Sequence, residues 1–157
     1  MPAREFVVGV ISDTHGLLRP EALDVLRGSD MIIHAGDVGK PEVIERLGEI
    51  APLHVVCGNI DKGNWAAALP LTELVDVGDH RFFVLHDIAQ LDVDPVTAGF
   101  GAVVFGHSHR PSIETRNGVL FLNPGSAGPR RFKLPITVAR VKTSGRHIRA
   151  DIVDLGL

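Results

Sequence analysis

The sequence predicts an α/β sandwich, in which two mixed β-sheets pack face to face with helices on the outside. Three observations carry this. Short apolar runs recur along the chain and end in Gly, Asp or Asn, the pattern of buried strands feeding loops. In the first half these runs alternate with helix-like stretches, which implies parallel strands joined by right-handed crossovers. In the second half only turn residues separate many of them, as in hairpins.

Phe6–Ser12 is the first strand and delivers the chain to Asp13-Thr14-His15-Gly16. Pro20–Arg27 follows as a helix, with Pro at its first turn and Glu21 beside it, where a helix N-terminus favours both. Met31–Ala35 is the second strand, ending at Gly36-Asp37, and Pro41–Glu49 is a helix of the same design with Glu42. Leu53–Cys57 ends at Gly58-Asn59-Ile60-Asp61. Leu71–Val77 and Arg81–Leu85 form strands about Gly78-Asp79-His80, followed by a short helix at Pro95–Ala98 and a buried strand at Ala102–Phe105. Glu114–Arg116 and Val119–Leu122 flank Asn117-Gly118, a strong hairpin signal. Ile136–Val141 and Ile148–Val153 close the chain around Ser144-Gly145. The helices are expected to cover the parallel half, and the hairpins to build the second sheet.

The chain has 157 residues, a length suited to one domain over 1–157 with a core of its own. The lone Cys57 excludes a disulfide scaffold. Sixteen Lys and Arg against nineteen Asp and Glu leave a net charge of −3, so no basic field invites nucleic acid. No apolar run approaches the roughly 20 residues of a membrane span. With no leader-like segment before Phe6, a cytoplasmic protein is expected. Eight histidines against no tyrosine is the unusual number, because histidine is the commonest metal ligand.

Several of those histidines fall at strand ends, where open α/β sheets collect function. The ends carry Asp13 and His15, Asp37, Asn59, His86, and then His107 and His109. In Asp-x-His and His-x-His, alternate residues share one side of an extended loop. Any one of these motifs has an ordinary structural explanation, such as a helix cap, a core histidine or a turn asparagine. Five in succession do not. Three oxygen donors with four nitrogens suit Mn, Fe or Zn better than Mg or Ca. Seven ligands exceed one tetrahedral site and suit two metals, which roughly 3.5–4 Å apart hold a bridging hydroxide for in-line displacement at phosphorus. Hydrolysis of a phosphate ester is the expected chemistry.

Asp13-x-His15, Gly36-Asp37, Gly58-Asn59-x-Asp61, His86 after a strand and Gly106-His107-Ser108-His109 resemble the calcineurin-like metallophosphoesterase signature in order and spacing. Asn123-Pro124-Gly125-Ser126 followed by Pro129-Arg130 is similar to the small YfcE-type phosphodiesterase branch, and the resemblance runs from residue 6 to about 155. It implies a metallophosphoesterase-type sandwich with two divalent ions per chain, Mn first, with Fe, Ni or Zn as alternatives. Asp13, His15 and His109 would hold one ion and Asn59, His86 and His107 the other, with Asp37 bridging. Asp37, Asn59 and His107 are the positions expected to act on the reaction, and Asp61 to orient its loop. The implied substrate is a small or nucleotide-like phosphate ester, without stable nucleic-acid or membrane binding; a homo-oligomer is left open. The rival is a binding scaffold like the retromer subunit of this fold, which lacks a full ligand set, whereas all seven positions are intact here.

Two positions depart from the pattern. Related phosphatases have a histidine where this chain has Ile60, and use it to protonate the leaving group, a contribution typically of about 10²–10⁴-fold. Asp87 replaces the usual Gly after the ligand histidine, and either starts its loop helix or supports a ligand imidazole. Arg130, with Arg131 and Lys133, forms a basic cluster from which Arg130 is the candidate to grip a phosphate oxygen. His34 reads as a core or supporting histidine, while His54 and His80 show no partner and His147 reads as surface. Cys57 reads as a buried small hydrophobe, and Trp65 as a packing residue or a stacking platform. Gly36–Lys40 is too short for a P-loop, and neither His86-Asp87 nor His107-x-His109 sits in the context that an HD hydrolase or a metallo-β-lactamase requires.

Overall fold

Two five-stranded sheets face each other in the computed structural model, which describes residues 4–157. The first contains β1 (Glu5–Ile11), β2 (Met31–His34), β3 (Leu53–Val55), β9 (Thr137–Ser144) and β10 (His147–Asp154), in the order β10-β9-β1-β2-β3. The second contains β4 (Thr72–Val77), β5 (His80–Leu85), β6 (Ala102–Val104), β7 (Ser112–Arg116) and β8 (Val119–Asn123), in the order β4-β5-β6-β8-β7. β1, β2 and β3 are parallel, and so are β5, β6 and β8. Both parallel trios therefore deliver their carboxyl ends to loops.

Three apolar layers follow from the alternation of the strands. Between the sheets lie Val8, Val10, Ile33, Val84, Val104 and Leu122 among others, all buried. The outer face of the first sheet is closed by α1 (Pro20–Leu26) and α2 (Pro41–Gly48), which pack Leu23, Leu26, Val43 and Leu47 against Ile11 and Ile32. Each fully buried Leu contributes roughly 1.5–3 kcal/mol, so Leu26→Ala is among the substitutions that would loosen α1 most. Both helices start on Pro, and Gly28 in the left-handed region (φ 83°) ends the first, where a side chain would be strained. On the second sheet Phe83, Leu85 and Phe121 are covered by the 86–101 segment, in which Phe100 stacks on Phe83 at 5.1 Å between centroids.

Three expectations change. The C-terminal hairpin joins the first sheet through β9, antiparallel to β1 with Val8 opposite Val141, instead of extending the second. The pairing covers an edge of β1 that would otherwise present unpaired backbone, with Ala139 and Val141 between the sheets and Val138 on the helical side. Pro95–Ala98 is a turn, not a helix: the Asp94 carboxylate accepts the Val96 N–H and the Thr97 hydroxyl, a local alternative to helical bonding. The sequence also gave no sign of α3 (Asn64–Ala67), a single helical turn. The Asn117-Gly118 turn has both φ angles positive, 50° and 81°, as a two-residue hairpin requires.

Candidate metal centre

The loops leaving β1, β2 and β3 carry Asp13, His15, Asp37 and Asn59, and those leaving β5 and β6 carry His86, His107 and His109. These loops meet at one end of the sandwich. Asp13 and His109 are almost wholly buried, as are Asp37 and His86.

The two carboxylates are held alike. Asp13 Oδ2 accepts the Ser12 hydroxyl at 2.8 Å and the His107 N–H at 3.2 Å, which leaves Oδ1 facing His109 Nε2 at 3.4 Å and His15 and His86 Nε2 at 3.9 Å each. Asp37 Oδ1 accepts the Ile60 N–H at 3.1 Å, which leaves Oδ2 at 3.3 Å from His86 Nε2 and 3.5 Å from His15 Nε2. His86 lies 2.8 Å from the Ala35 carbonyl through Nδ1, so that nitrogen carries the proton and Nε2 offers a lone pair to the cluster. Asp13 Oδ1 and the Nε2 atoms of His15 and His86 are buried without a hydrogen-bond partner, as is His109 Nδ1. Leaving such atoms bare costs about 1–3 kcal/mol each, and a cation removes that cost.

Two groupings fit an ion: Asp13 with His15 and His109, and Asp13 with Asp37 and His86. The first matches a trio expected from the sequence. In the second, Asp13 reaches across as well as Asp37, so both carboxylates lie between the groups. Asn59 and His107 stand on the open side, paired at 3.2 Å, with the His107 ring 5.2 Å from that of His86. Beside them is a cleft of about 310 Å³ with Cys57 and Leu71 in its wall.

The backbone is shaped to this end. Asp13 (φ 55°), His15 (48°), Asp37 (55°), His107 (72°) and His109 (62°) all lie in the left-handed region, which L-residues rarely occupy and which collects at functional sites. Gly58 and Gly106 make the approach possible: a Cβ on Gly58 would strike Asp37, and one on Gly106 would strike Ser12 and Asp13.

Burial pushes the Asp13 carboxyl up to about 6, against the pull of the nearby His86. Burial acts the same way on Asp37, but the contact with His86 and the Ile60 N–H outweigh it and hold Asp37 below the ordinary carboxylate range. His109 is pushed down to about 4 by burial and then by the Arg131 charge; His15 falls as well, mainly through burial. His86 is raised, since its contacts with Asp37, the Ala35 carbonyl and Asp13 overcome its burial. Asp13, with one free oxygen facing His15 and His109, two imidazoles that resist protonation, has the donors of a chelating set. His86 is the imidazole that pairs with the carboxylates.

The remaining positions sort by contact. Asp61 accepts N–H groups from Val38, Gly39 and Gly58 at 2.9–3.1 Å and so ties two site loops together. Asp87 accepts the Ala89 N–H at the start of the 3₁₀ turn Ile88–Gln90 and stands 3.8 Å from His107 Nε2, beyond hydrogen-bond reach. His34 is wholly buried and bonded through both ring nitrogens, to Thr14 and Gly36. His54 has a partner after all, Glu73 at 3.0 Å, and His80 lies 2.7 Å from the Gly145 carbonyl. Cys57 is only half-buried, and Trp65 packs against the helical side of the core. Arg130 donates to the carbonyls of Leu134 and Leu157, and Arg131 is the arginine whose charge reaches His15 and His109. Sequence reasoning missed Ser12, although it directly precedes Asp13. It also gave no role to Asn123, which ends a buried strand and donates to Gly106 O and Ser108 Oγ at 3.1 Å each.

Among curated proteins, the chain is similar to a probable metallophosphoesterase of Methanothermobacter thermautotrophicus, at 32% identity over 96% of this chain and 93% of the relative. It is also similar to a phosphodiesterase of Methanocaldococcus jannaschii, at 26% identity over 94% of this chain and 99% of that one. Vacuolar protein sorting 29 of Cryptosporidium parvum shares the fold, with a TM-score of 0.79 at 19% identity over 96% of this chain and 97% of the other. The model of the calcineurin-like phosphoesterase superfamily domain matches residues 6–146, and the chain belongs to that superfamily of phosphoester hydrolases.

Proposed function

We propose that this chain, acting as one unit over residues 1–157, is a dimetal phosphodiesterase for small or nucleotide-like phosphate esters. The observation that carries it is the set of bare, buried atoms, Asp13 Oδ1 with the Nε2 atoms of His15 and His86 turned toward it, joined by His109, whose Nε2 faces the same oxygen. Asp13, His15 and His109 would hold one divalent ion and His86, Asn59 and His107 the other, with Asp37 between them. Manganese is the first choice for this mixture of oxygen and nitrogen donors. When bound, the pair supplies Lewis acidity and a hydroxide nucleophile at neutral pH. The protein's own part is to fix the ligands before substrate arrives. Ser12 and the His107 N–H orient Asp13, the Ile60 N–H orients Asp37, and Asn123 braces the loop that bears His107 and His109. The negative charge of Asp13 and Asp37 favours diesters, which bring one charge where monoesters bring two.

A scaffold reading draws on the likeness to vacuolar protein sorting 29 and on exposed apolar residues near the site, Ile60 (40%) and Leu71 (75%). The bare polar atoms weigh against it, since a protein surface has no use for them. The deciding experiment is turnover by Mn²⁺-reconstituted protein across phosphomonoesters, diesters and nucleotide esters. Diesters should be hydrolysed faster than monoesters, and chelation should silence both. Folded, metal-loaded protein inert on the whole panel would refute the enzyme.

A further inference from the structure

Phe132 is the most exposed large apolar residue among those described, at 91%, and it lies in the left-handed region at φ 53°. A bulky aromatic residue in that conformation is a true outlier and persists only where the surroundings impose it. They do so here. Gly128 at the start of the loop sits so close to Thr14 and Asp13 that a Cβ would strike their backbone, and Arg130 braces the far side on the Leu134 and Leu157 carbonyls. The Leu134 N–H returns to the Arg131 carbonyl at 3.1 Å and closes the turn that displays the ring. An apolar side chain held out into water on a braced turn costs free energy that packing does not return.

The surroundings of the ring specify what it meets. Phe132, Lys133 and Leu134 form one wall of a cleft of about 550 Å³, and Arg110 forms the other. Arg110 directly follows His109, so the cleft borders the loop that carries two of the metal-centre residues. Arg131, which directly precedes the ring in the chain, exerts its charge on His15 and His109. An aromatic face and cations thus share a cleft beside the loop of the candidate centre, and the Arg131 charge reaches that centre. A nucleotide has the matching order of planar base and anionic phosphate.

We propose that this cleft is a nucleobase subsite, in which the Phe132 ring stacks on the base of a nucleoside phosphate ester while Arg131 and Arg110 face its phosphate. The subsite rests on the phosphodiesterase reading only for where the phosphate lies, so its test is binding and not turnover. Calorimetry on Mn²⁺-loaded protein should give tighter binding of adenosine 5′-monophosphate than of methyl phosphate. Phe132→Ala should lower the ratio of those two affinities about 10-fold, equivalent to about 1.4 kcal/mol and within the range for base–aromatic stacking. Phe132→Gly, which relieves the backbone, should lower it equally, and Phe132→Tyr should restore it. Arg131→Gln should weaken both ligands and leave the ratio near the wild-type value. Equal affinities in the wild type, or a ratio indifferent to Phe132, would overturn the subsite whatever the turnover panel shows. A ratio that falls as expected in protein inert on every ester would uphold the subsite and refute the esterase. Sedimentation of the same variants gives the last arm: a dimer lost with Phe132→Ala while the affinity ratio holds would make the loop a contact between copies, and the subsite would be wrong.

Discussion

Removing the Asp61 carboxylate should destabilise the protein more than its place in a loop suggests. Asp61 is 6% exposed, and its oxygens accept three backbone N–H groups: Oδ2 from Val38 at 3.1 Å and Gly58 at 2.9 Å, and Oδ1 from Gly39 at 2.9 Å. Hydrogen bonds to a charged acceptor contribute roughly 1.5–3 kcal/mol each, and a buried N–H left bare costs about 1–3 kcal/mol. These figures overlap, and water can enter the gap, so Asp61→Ala is expected to cost about 3–6 kcal/mol in total. Against the roughly 5–15 kcal/mol that folded domains possess, that brings the variant near the limit of folding. Asp61→Asn separates the contributions. Its oxygen can serve Val38 and Gly58, but its amide nitrogen must then face the Gly39 donor, so about 1.5–3 kcal/mol should be lost. Urea unfolding of chelated protein measures both; with a slope near 2 kcal/mol/M, the Ala variant's midpoint should fall by about 1.5–3 M. Both variants should also bind Mn²⁺ more weakly, because the Asp37 and Asn59 loops lose their common tie. Midpoints within about 0.5 M of wild type for both would show that these three bonds do not hold the loops.

Elemental analysis after Mn²⁺ loading should approach two equivalents per chain, and saturation at one under excess metal would sink the dinuclear arrangement. Asp37→Asn and His107→Ala should each lose turnover by about 10²-fold or more while the far-ultraviolet spectrum is kept, and near-normal rates at saturating metal would overturn the site assignment. With Ile60 unable to donate a proton, rates on a diester series should depend steeply on leaving-group pKa, and Ile60→His should flatten that dependence; a flat wild-type series with chemistry rate-limiting points to another general acid. His34 is held by burial at a pKa of about 3, against an ordinary value of 6.5. The unfolded chain therefore takes up a proton in that window that the folded chain refuses, so stability falls as pH drops, by roughly 2–3 kcal/mol between pH 6.5 and 4.5. Denaturant titrations of wild type and His34→Gln should show a shallower pH slope for the variant, and parallel slopes would count against it.

The strand ends were legible because the apolar runs stop where polar or turn-forming residues begin, at Asp13, Gly36-Asp37 and Gly58-Asn59 among others. The pairing of the last hairpin was not legible: the alternation in β9 says that one face is buried, not which sheet buries it, and that choice rests on the open edge of β1. α3 is a single turn and has no period to read. At Pro95 the helix signal was real, but Asp94 competed for the same backbone and side-chain donors and won. Within the site, residue types were visible and backbone conformation was not, since nothing in the letters distinguishes a left-handed Asp or His from an ordinary one. Arg130 and Arg131 show the same limit. Neighbours on extended backbone point opposite ways, and composition cannot say which of two arginines brings its charge to the histidines.

Asp13, Asp37 and Asn59 leave one sheet, while His86, His107 and His109 leave the other. An ion held among them is then a clasp between two layers that otherwise meet through Val10, Val84, Leu122 and their neighbours. Apolar faces can slide a few tenths of an ångström against each other at small cost, whereas coordination tolerates displacements of only about 0.2 Å. Residues far from the chemistry, Phe82 in the middle of the sandwich for one, thereby acquire influence over ion affinity through the spacing they impose on the layers. Drift in the interior would register as a weakened grip on metal before it registered as a lost fold.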